Sequence, residues 1–337
     1  MAETKQHGPL IISTSPHLKS EESTARIMWS VSASLLPAML TGAYYFGPRA
    51  VFTVLLCIIS ALLSEYIYQK GLKKRITLND GSSFLTGLLL GINLPPSVPF
   101  YIPIIGSFVA IVVTKQLFGG LGYNIFNPAL IARAFLLVSF PKLMTVWTAP
   151  TAAFIGMDAL TTATPLGILK EQGQARLIEI FGDKLHLYWQ LLAGNRAGCI
   201  GETSGIALII GAAFLFFRRY ITWHIPLSFI GTAALIAWIF GGTEGVFTGD
   251  PLLHVLGGGL LLGAFFMATD YVTSPSMKSG QIVFGIGCGF LTMLIRLKGG
   301  YPEGVMFAIL IMNCFSPLID RGFKSRVFGA QKNRDKK

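Results

Sequence analysis

The feature that most constrains this chain is a series of about ten apolar stretches, each near or somewhat under the ~20 residues that cross a bilayer as a helix. They run approximately 27–46, 51–68, 82–94, 101–117, 128–140, 205–217, 225–240, 252–268, 282–295 and 302–319. The third, fifth and ninth are short or interrupted. Broken apolar segments of this kind often line a site in membrane proteins. The pattern predicts an all-α polytopic membrane protein with about ten transmembrane helices and one long extracytoplasmic loop.

Charge supports a bilayer setting. Only 13% of the residues are charged, about half the share usual in soluble domains. The formal net charge is +11, yet the cations lie between apolar runs and in the tail instead of lining one polar face. That distribution fits loops of a membrane protein and argues against nucleic acid as a partner. Met1 to Arg26 is polar, so no cleavable signal peptide is expected and the first helix serves as its own insertion signal.

The basic residues also set an orientation. Lys70, Lys73, Lys74 and Arg75 follow the second segment, Arg218 and Arg219 the sixth, and Arg321, Lys324 and Arg326 the tenth. If every segment spans, these clusters share one side with the N-terminus, and the positive-inside rule makes that side cytoplasmic. The expected organisation is a cytoplasmic segment at 1–26, a first membrane unit at 27–140, an extracytoplasmic loop at 141–203, a second membrane unit at 204–320 and a basic cytoplasmic tail at 321–337. Arg296 and Lys298 fall outside, against the rule.

The two membrane units look related. Gly87-Leu-Leu-Leu-Gly91 precedes a Pro-Pro-Ser break, and Gly259-Leu-Leu-Leu-Gly263 precedes Thr-Ser-Pro at 273–275. Gly119-Gly-Leu-Gly-Tyr123 leads into the fifth segment, as Gly299-Gly-Tyr-Pro302 leads into the tenth. Five segments is an odd number, so two such repeats would be inverted in the membrane.

Two motifs carry chemistry. The first is Asp158-Ala-Leu-Thr161-Thr-Ala-Thr164-Pro165, in the polar insertion. Small neighbours leave its hydroxyls accessible, and Pro165 disfavours helical geometry at Thr164. The second is Gly119-Gly-Leu-Gly-Tyr-Asn124-Ile-Phe-Asn127-Pro128-Ala-Leu-Ile-Ala-Arg133. Its glycines let backbone approach a ligand. Asn124 and Asn127 set two amides beside a helix start, with Pro128 in its first turn. Amides both donate and accept, which suits a ligand edge of alternating donors and acceptors. An N-cap and a turn amide would use the same residues without any ligand.

Both motifs, with Phe266-Met-Ala-Thr-Asp270-Tyr-Val-Thr-Ser-Pro and Gly299-Gly-Tyr-Pro-Glu303-Gly-Val, resemble the D subunits of Rnf-type complexes and the related B subunit of the sodium-pumping NADH:quinone reductase. The short N-terminal extension and the tail from Asp320 to Gly329 resemble the Rnf side more. The resemblance implies FMN esterified through its phosphate to Thr164, with Asp158 and Thr161 in the attachment motif. It implies a second, non-covalent flavin (riboflavin or FMN) at Asn124 and Asn127. It implies a flavin transferase for maturation, and partners among the other Rnf subunits, including the second covalent-flavin subunit and the small membrane subunits. Such complexes pass electrons between ferredoxin and NAD and couple this to Na+ or H+ movement.

Other residues are weaker candidates. Asp270 and Glu303 sit at segment edges, where an ionisable group is a functional suspect; Asp270 is a candidate for the ion pathway or a capping carboxylate. Lys115 and Arg133 interrupt apolar runs and could meet a flavin phosphate or snorkel. His186, His224 and His254 lack metal-site spacing. No Cys-x-x-Cys occurs, so the four cysteines are expected to be buried and inert; a cluster shared with another subunit stays open. No dinucleotide or P-loop fingerprint is present, so NAD is not expected here, and no catalytic residue or resident metal is assigned. The expected role is a multi-pass electron carrier of the cell membrane. Two rival classes remain open: a secondary transporter or channel with inverted repeats and no flavin, and a scaffold that only anchors other subunits.

Overall fold

The computed structural model describes residues 22–150, 163–242 and 245–323. Asp158 and Thr161 lie outside these residues. Among the described residues the chain is helical, with no β-strand.

The N-terminal unit opens with α1 (Thr24–Ser34) and α2 (Leu36–Phe46). They form one apolar run broken beside Pro37, which cannot supply the N–H that a continuous helix needs. Then α3 (Pro48–Gly71) follows, with α4 (Ser82–Ile92) packed against it. Gly87 and Gly91 make that contact possible. A methyl group at Gly87 would sit 2.8 Å from the Ile58 Cα, and one at Gly91 would sit 2.9 Å from the Val54 Cα. Next, α5 (Tyr101–Phe108) continues without a break into a π-helical stretch, Val109–Gln116. The unit closes with α6 (Pro128–Ser139) and the short α7 (Pro141–Met144).

The polar insertion is not one loop. It folds into α8 (Pro165–Phe181), kinked where Gly173 takes φ 82°, and α9 (Lys184–Ala193). Leu166, Leu177, Leu187 and Leu191 anchor these two helices on the core. A 3-10 turn at Ile200–Glu202 then wedges between α2 and α4, where the Ile200 N–H donates to the Leu94 carbonyl at 3.3 Å.

The C-terminal unit comprises α10 (Gly205–Phe217), α11 (His224–Phe240), α12 (Pro251–Leu256) and α13 (Leu260–Leu262), which runs into a π-helical stretch at Gly263–Met267. It ends with α14 (Lys278–Lys298) on α11, and α15 (Val305–Gly322). Every apolar stretch of the sequence is therefore helical. Four helical units are long and apolar enough to cross a membrane by themselves: Thr24–Phe46, Pro48–Gly71, Lys278–Lys298 and Val305–Gly322. The others are shorter, broken or π-wound. Long apolar side chains such as Leu40, Phe52, Leu63, Phe217 and Phe290 point outward, as lipid contact would require.

Candidate functional site

Chemistry-bearing side chains gather at the two ends of α4. Ser82 stands at one end and Asn93 just beyond the other, about 16 Å apart at 1.5 Å per residue.

Thr164 belongs to the Asn93 end. Thr164 is the N-cap of α8. Its backbone is extended (φ −69°, ψ 154°), as the following Pro165 favours, and its hydroxyl accepts the Gly167 N–H at 3.1 Å. The residue is half-buried beside a cavity of about 420 Å³. Trp147 and Tyr301 supply aromatic walls to this cavity, and Asn93, Arg133 and Glu303 supply its polar groups.

Arg133 organises the cavity floor. Its guanidinium reaches Glu202 at 3.2 Å, Glu303 at 3.3 Å, the Asn93 side-chain oxygen at 2.7 Å and the Cys199 sulfur at 3.2 Å. The sequence offered Arg133 as a snorkelling cation or a phosphate contact. It does not snorkel; it is a nearly buried ion-pair centre that cross-links four parts of the chain. A second guanidinium, Arg196, satisfies the carbonyls of Glu202, Thr203 and Leu256. Burial, and then the neighbouring Glu303 carboxylate, push Glu202 up to about 7 against the pull of Arg133 and Arg196. Burial also pushes the Cys199 thiol well up, which fits the expected inertness. Cys314 departs from that expectation in place: it is exposed on α15, whereas Cys57 and Cys288 are buried. Glu202 and Cys199 were not singled out as partners of Arg133 in the sequence. They lie in the insertion, 69 and 66 residues away, with no local signal joining them.

At the Ser82 end, Asn127 is the N-cap of α6: its side-chain oxygen accepts the Ala129 N–H at 3.1 Å. Its amide nitrogen donates across to the Met267 carbonyl at 3.4 Å. Asn124 donates to the Phe126 carbonyl at 3.0 Å, but its buried side-chain oxygen has no partner. Both amides line a cavity of about 90 Å³ together with Lys115, Asp270 and Tyr271. Asp270 is half-buried and accepts from Thr273 at 3.2 Å. Lys115 does not snorkel either. It is 2% exposed and bonds Glu65 at 3.0 Å, Ser82 at 2.6 Å and Ser83 at 3.2 Å. Gln116 and Gln69 complete the shell around Glu65. A sequence signal for this pair existed: Glu65 is the carboxylate within the second apolar run and Lys115 the cation within the fourth.

Volume separates the two cavities. An apolar cavity of about 150 Å³ holds one benzene ring. On that scale 420 Å³ suits three fused rings, whereas 90 Å³ is too small even for one. Among the described residues no group of three or more His, Cys, Asp or Glu side chains could hold a metal ion.

Comparison with known proteins matches residues 11–329 to the model of the NQR2, RnfD, RnfE family. The chain is 52% identical over 321 residues to the D subunit of the proton-translocating ferredoxin:NAD(+) oxidoreductase complex of Clostridium ljungdahlii, covering 95% of this chain and 96% of the relative. It is 46% identical over 327 residues to the D subunit of the Na(+)-translocating ferredoxin:NAD(+) oxidoreductase complex of Acetobacterium woodii, covering 96% of each. It is 36% identical to the D subunit of the ion-translocating oxidoreductase complex of Salmonella paratyphi B, covering 95% of this chain and 99% of the relative.

Proposed function

The chain belongs to the NQR2, RnfD, RnfE family, and from that premise we propose that it is the membrane flavoprotein subunit of an Rnf-type complex that couples electron transfer between ferredoxin and NAD to Na+ or H+ translocation. It works with the other Rnf subunits and has no substrate site of its own. One observation carries the flavin half of this reading: the Thr164 hydroxyl stands at the N-terminus of α8, ahead of its kink at Gly173, and opens on a cavity of three-ring size.

The residues fit FMN esterified through its phosphate. A phosphate on Thr164 meets the positive end of the α8 dipole; Pro165 carries no N–H, and the Gly167 N–H already points at the Thr164 oxygen that would bear the ester. Trp147 and Tyr301 offer ring faces. Arg133 holds Glu202 and Glu303 in place, so the cavity floor is pre-set. When bound, FMN supplies reversible electron uptake, and the protein sets its position and surroundings. Asp158 and Thr161 complete the attachment motif. A flavin transferase brings the activated flavin.

The second, non-covalent flavin fits the amide pair in chemistry but not in space. Asn124 has an orphaned oxygen, yet the 90 Å³ beside it holds no flavin ring as folded. No electron step is assigned to it. Asp270 keeps its proposed place on the ion path at this end. We further propose ten spans arranged as two inverted five-helix units, with both termini cytoplasmic and 141–203 outside.

The deciding experiment is expression with a flavin transferase, followed by denaturing gels under ultraviolet light and mass spectrometry of the loop peptide. Wild type should fluoresce and carry an FMN-sized adduct, Thr164→Ser should be partly modified, and Thr164→Ala should be dark. A fluorescent Thr164→Ala band would overturn the assignment. Reporter fusions at residue 170 and at the C-terminus test orientation; finding both on one side would sink it.

A further inference from the structure

Arg296 and Lys298 are the two cations that the positive-inside rule leaves on the wrong side, at the end of α14 nearest α8. They line a cavity of about 520 Å³ distinct from the one beside Thr164. Lys170 of α8, whose ammonium donates to the Gly299 and Tyr301 carbonyls, and His254 of α12 share its polar end. Arg296 is only 4% exposed, and its terminal nitrogens are held by the carbonyls of His254 and Gly257. Its Nε has no partner, nor has the buried Nδ1 of His254. Among the described residues no carboxylate lies within 4.0 Å of Arg296, Lys298 or Lys170. The nearby Asp250 is taken up by Gln174, Tyr188 and the N-terminus of α12.

The rest of the wall is apolar. Phe240, Phe290 and Leu294 line it and are themselves exposed on the outer face of α11 and α14. The cavity therefore opens where lipid chains would lie. It joins a cationic end that keeps one unpaired guanidinium N–H to a greasy flank, which is the complement of an amphiphile with an anionic head. We propose that it binds one anionic phospholipid of the leaflet on the Thr164 side. The phosphate sits among Lys170, Arg296 and Lys298, and the acyl chains follow Phe290 and Leu294. This accounts for the misplaced cations: they serve a lipid site instead of setting topology.

The test uses the purified, detergent-solubilised complex and radiolabelled dioleoylphosphatidylglycerol, with dioleoylphosphatidylcholine as the uncharged competitor. Wild type should retain phosphatidylglycerol in preference. Lys170→Gln with Lys298→Gln should lower that retention by about fivefold per lysine. Both lysines are exposed, so the fold should survive the change. Lys142→Gln with Arg176→Gln, away from the cavity, should change nothing. Equal retention of the two lipids by wild type would overturn the proposal. So would unchanged retention by the double lysine variant, an equal loss in the control variant, or displacement of the lipid by inorganic phosphate, which would mark a site for a free anion.

Discussion

The two ends of α4 solve the same problem in different ways. Each buries a cation beside carboxylates. At the Ser82 end the pair is sealed: Lys115 and Glu65 are 2% and 0% exposed and ringed by hydroxyls and amides. At the Asn93 end the cation is shared by two carboxylates and faces a roomy cavity. The sealed pair borders only the small cavity at that end and ties α3, α4 and the π-helical stretch together. The shared centre leaves room beside it, and that is where the cofactor proposal lies.

Single charge removals should break this contrast most visibly. Arg133→Leu leaves two carboxylates unpaired and should cost on the order of 3–5 kcal/mol, read as loss of detergent-stable protein. Lys115→Met should cost a similar amount, on the order of 3–5 kcal/mol, because Glu65 stays buried. The double change Lys115→Met with Glu65→Leu should cost clearly less than either single change, since no naked charge remains. If the double is as damaging as the singles, the pair does more than hold helices.

Cap changes are smaller and separate structure from cofactor. Thr164→Ala should cost about 1 kcal/mol of stability by removing the α8 cap. Thr164→Asp keeps a cap but cannot form the ester, so it should melt like wild type while remaining dark under ultraviolet light. At the other end, Asn127→Ala should also cost about 1 kcal/mol. Asn124→Leu removes an oxygen that has no partner but also the donor to the Phe126 carbonyl; the two effects oppose, and the change should cost no more than about 1 kcal/mol in the isolated chain.

The smallest effect is pH dependence. In the fold Glu202 keeps its proton up to about 7, above the ordinary carboxylate value. Its contribution to stability is therefore fully present at low pH and is lost as pH rises from about 4.5 towards 7. Thermal melts across that window should slope downward in wild type and flatten in Glu202→Gln.

Much of this was legible in the sequence. Apolar runs located helices, four of them long and apolar enough to cross a membrane, because burial in lipid needs continuous apolar side chains. Asn127 before Pro128 marked a helix start, and Thr164 before Pro165 marked an extended residue. Missed features have physical reasons. Helices α8 and α9 carry mixed polar sequence, and their few buried leucines give no span-like signal. The Arg133 centre joins residues from four distant stretches, and no local pattern announces a contact 170 residues away. Hydropathy also hides where helices are rewound or broken, because π-helical turns and the break at 257–259 leave it unchanged.

That same Arg133 centre has a consequence for how the protein is made. Glu303 leaves the ribosome 170 residues after Arg133, which at ordinary synthesis rates is roughly 10–30 s later. Through that interval Arg133 has Glu202 as its sole available carboxylate for part of the time, and none before. The first membrane unit must therefore wait, inserted but unfinished, for the last helix to arrive. The Glu303 wall of the cavity beside Thr164 closes only with that final step. Under the proposed attachment at Thr164, a transferase that reads the finished cavity would modify complete chains and pass over truncated ones.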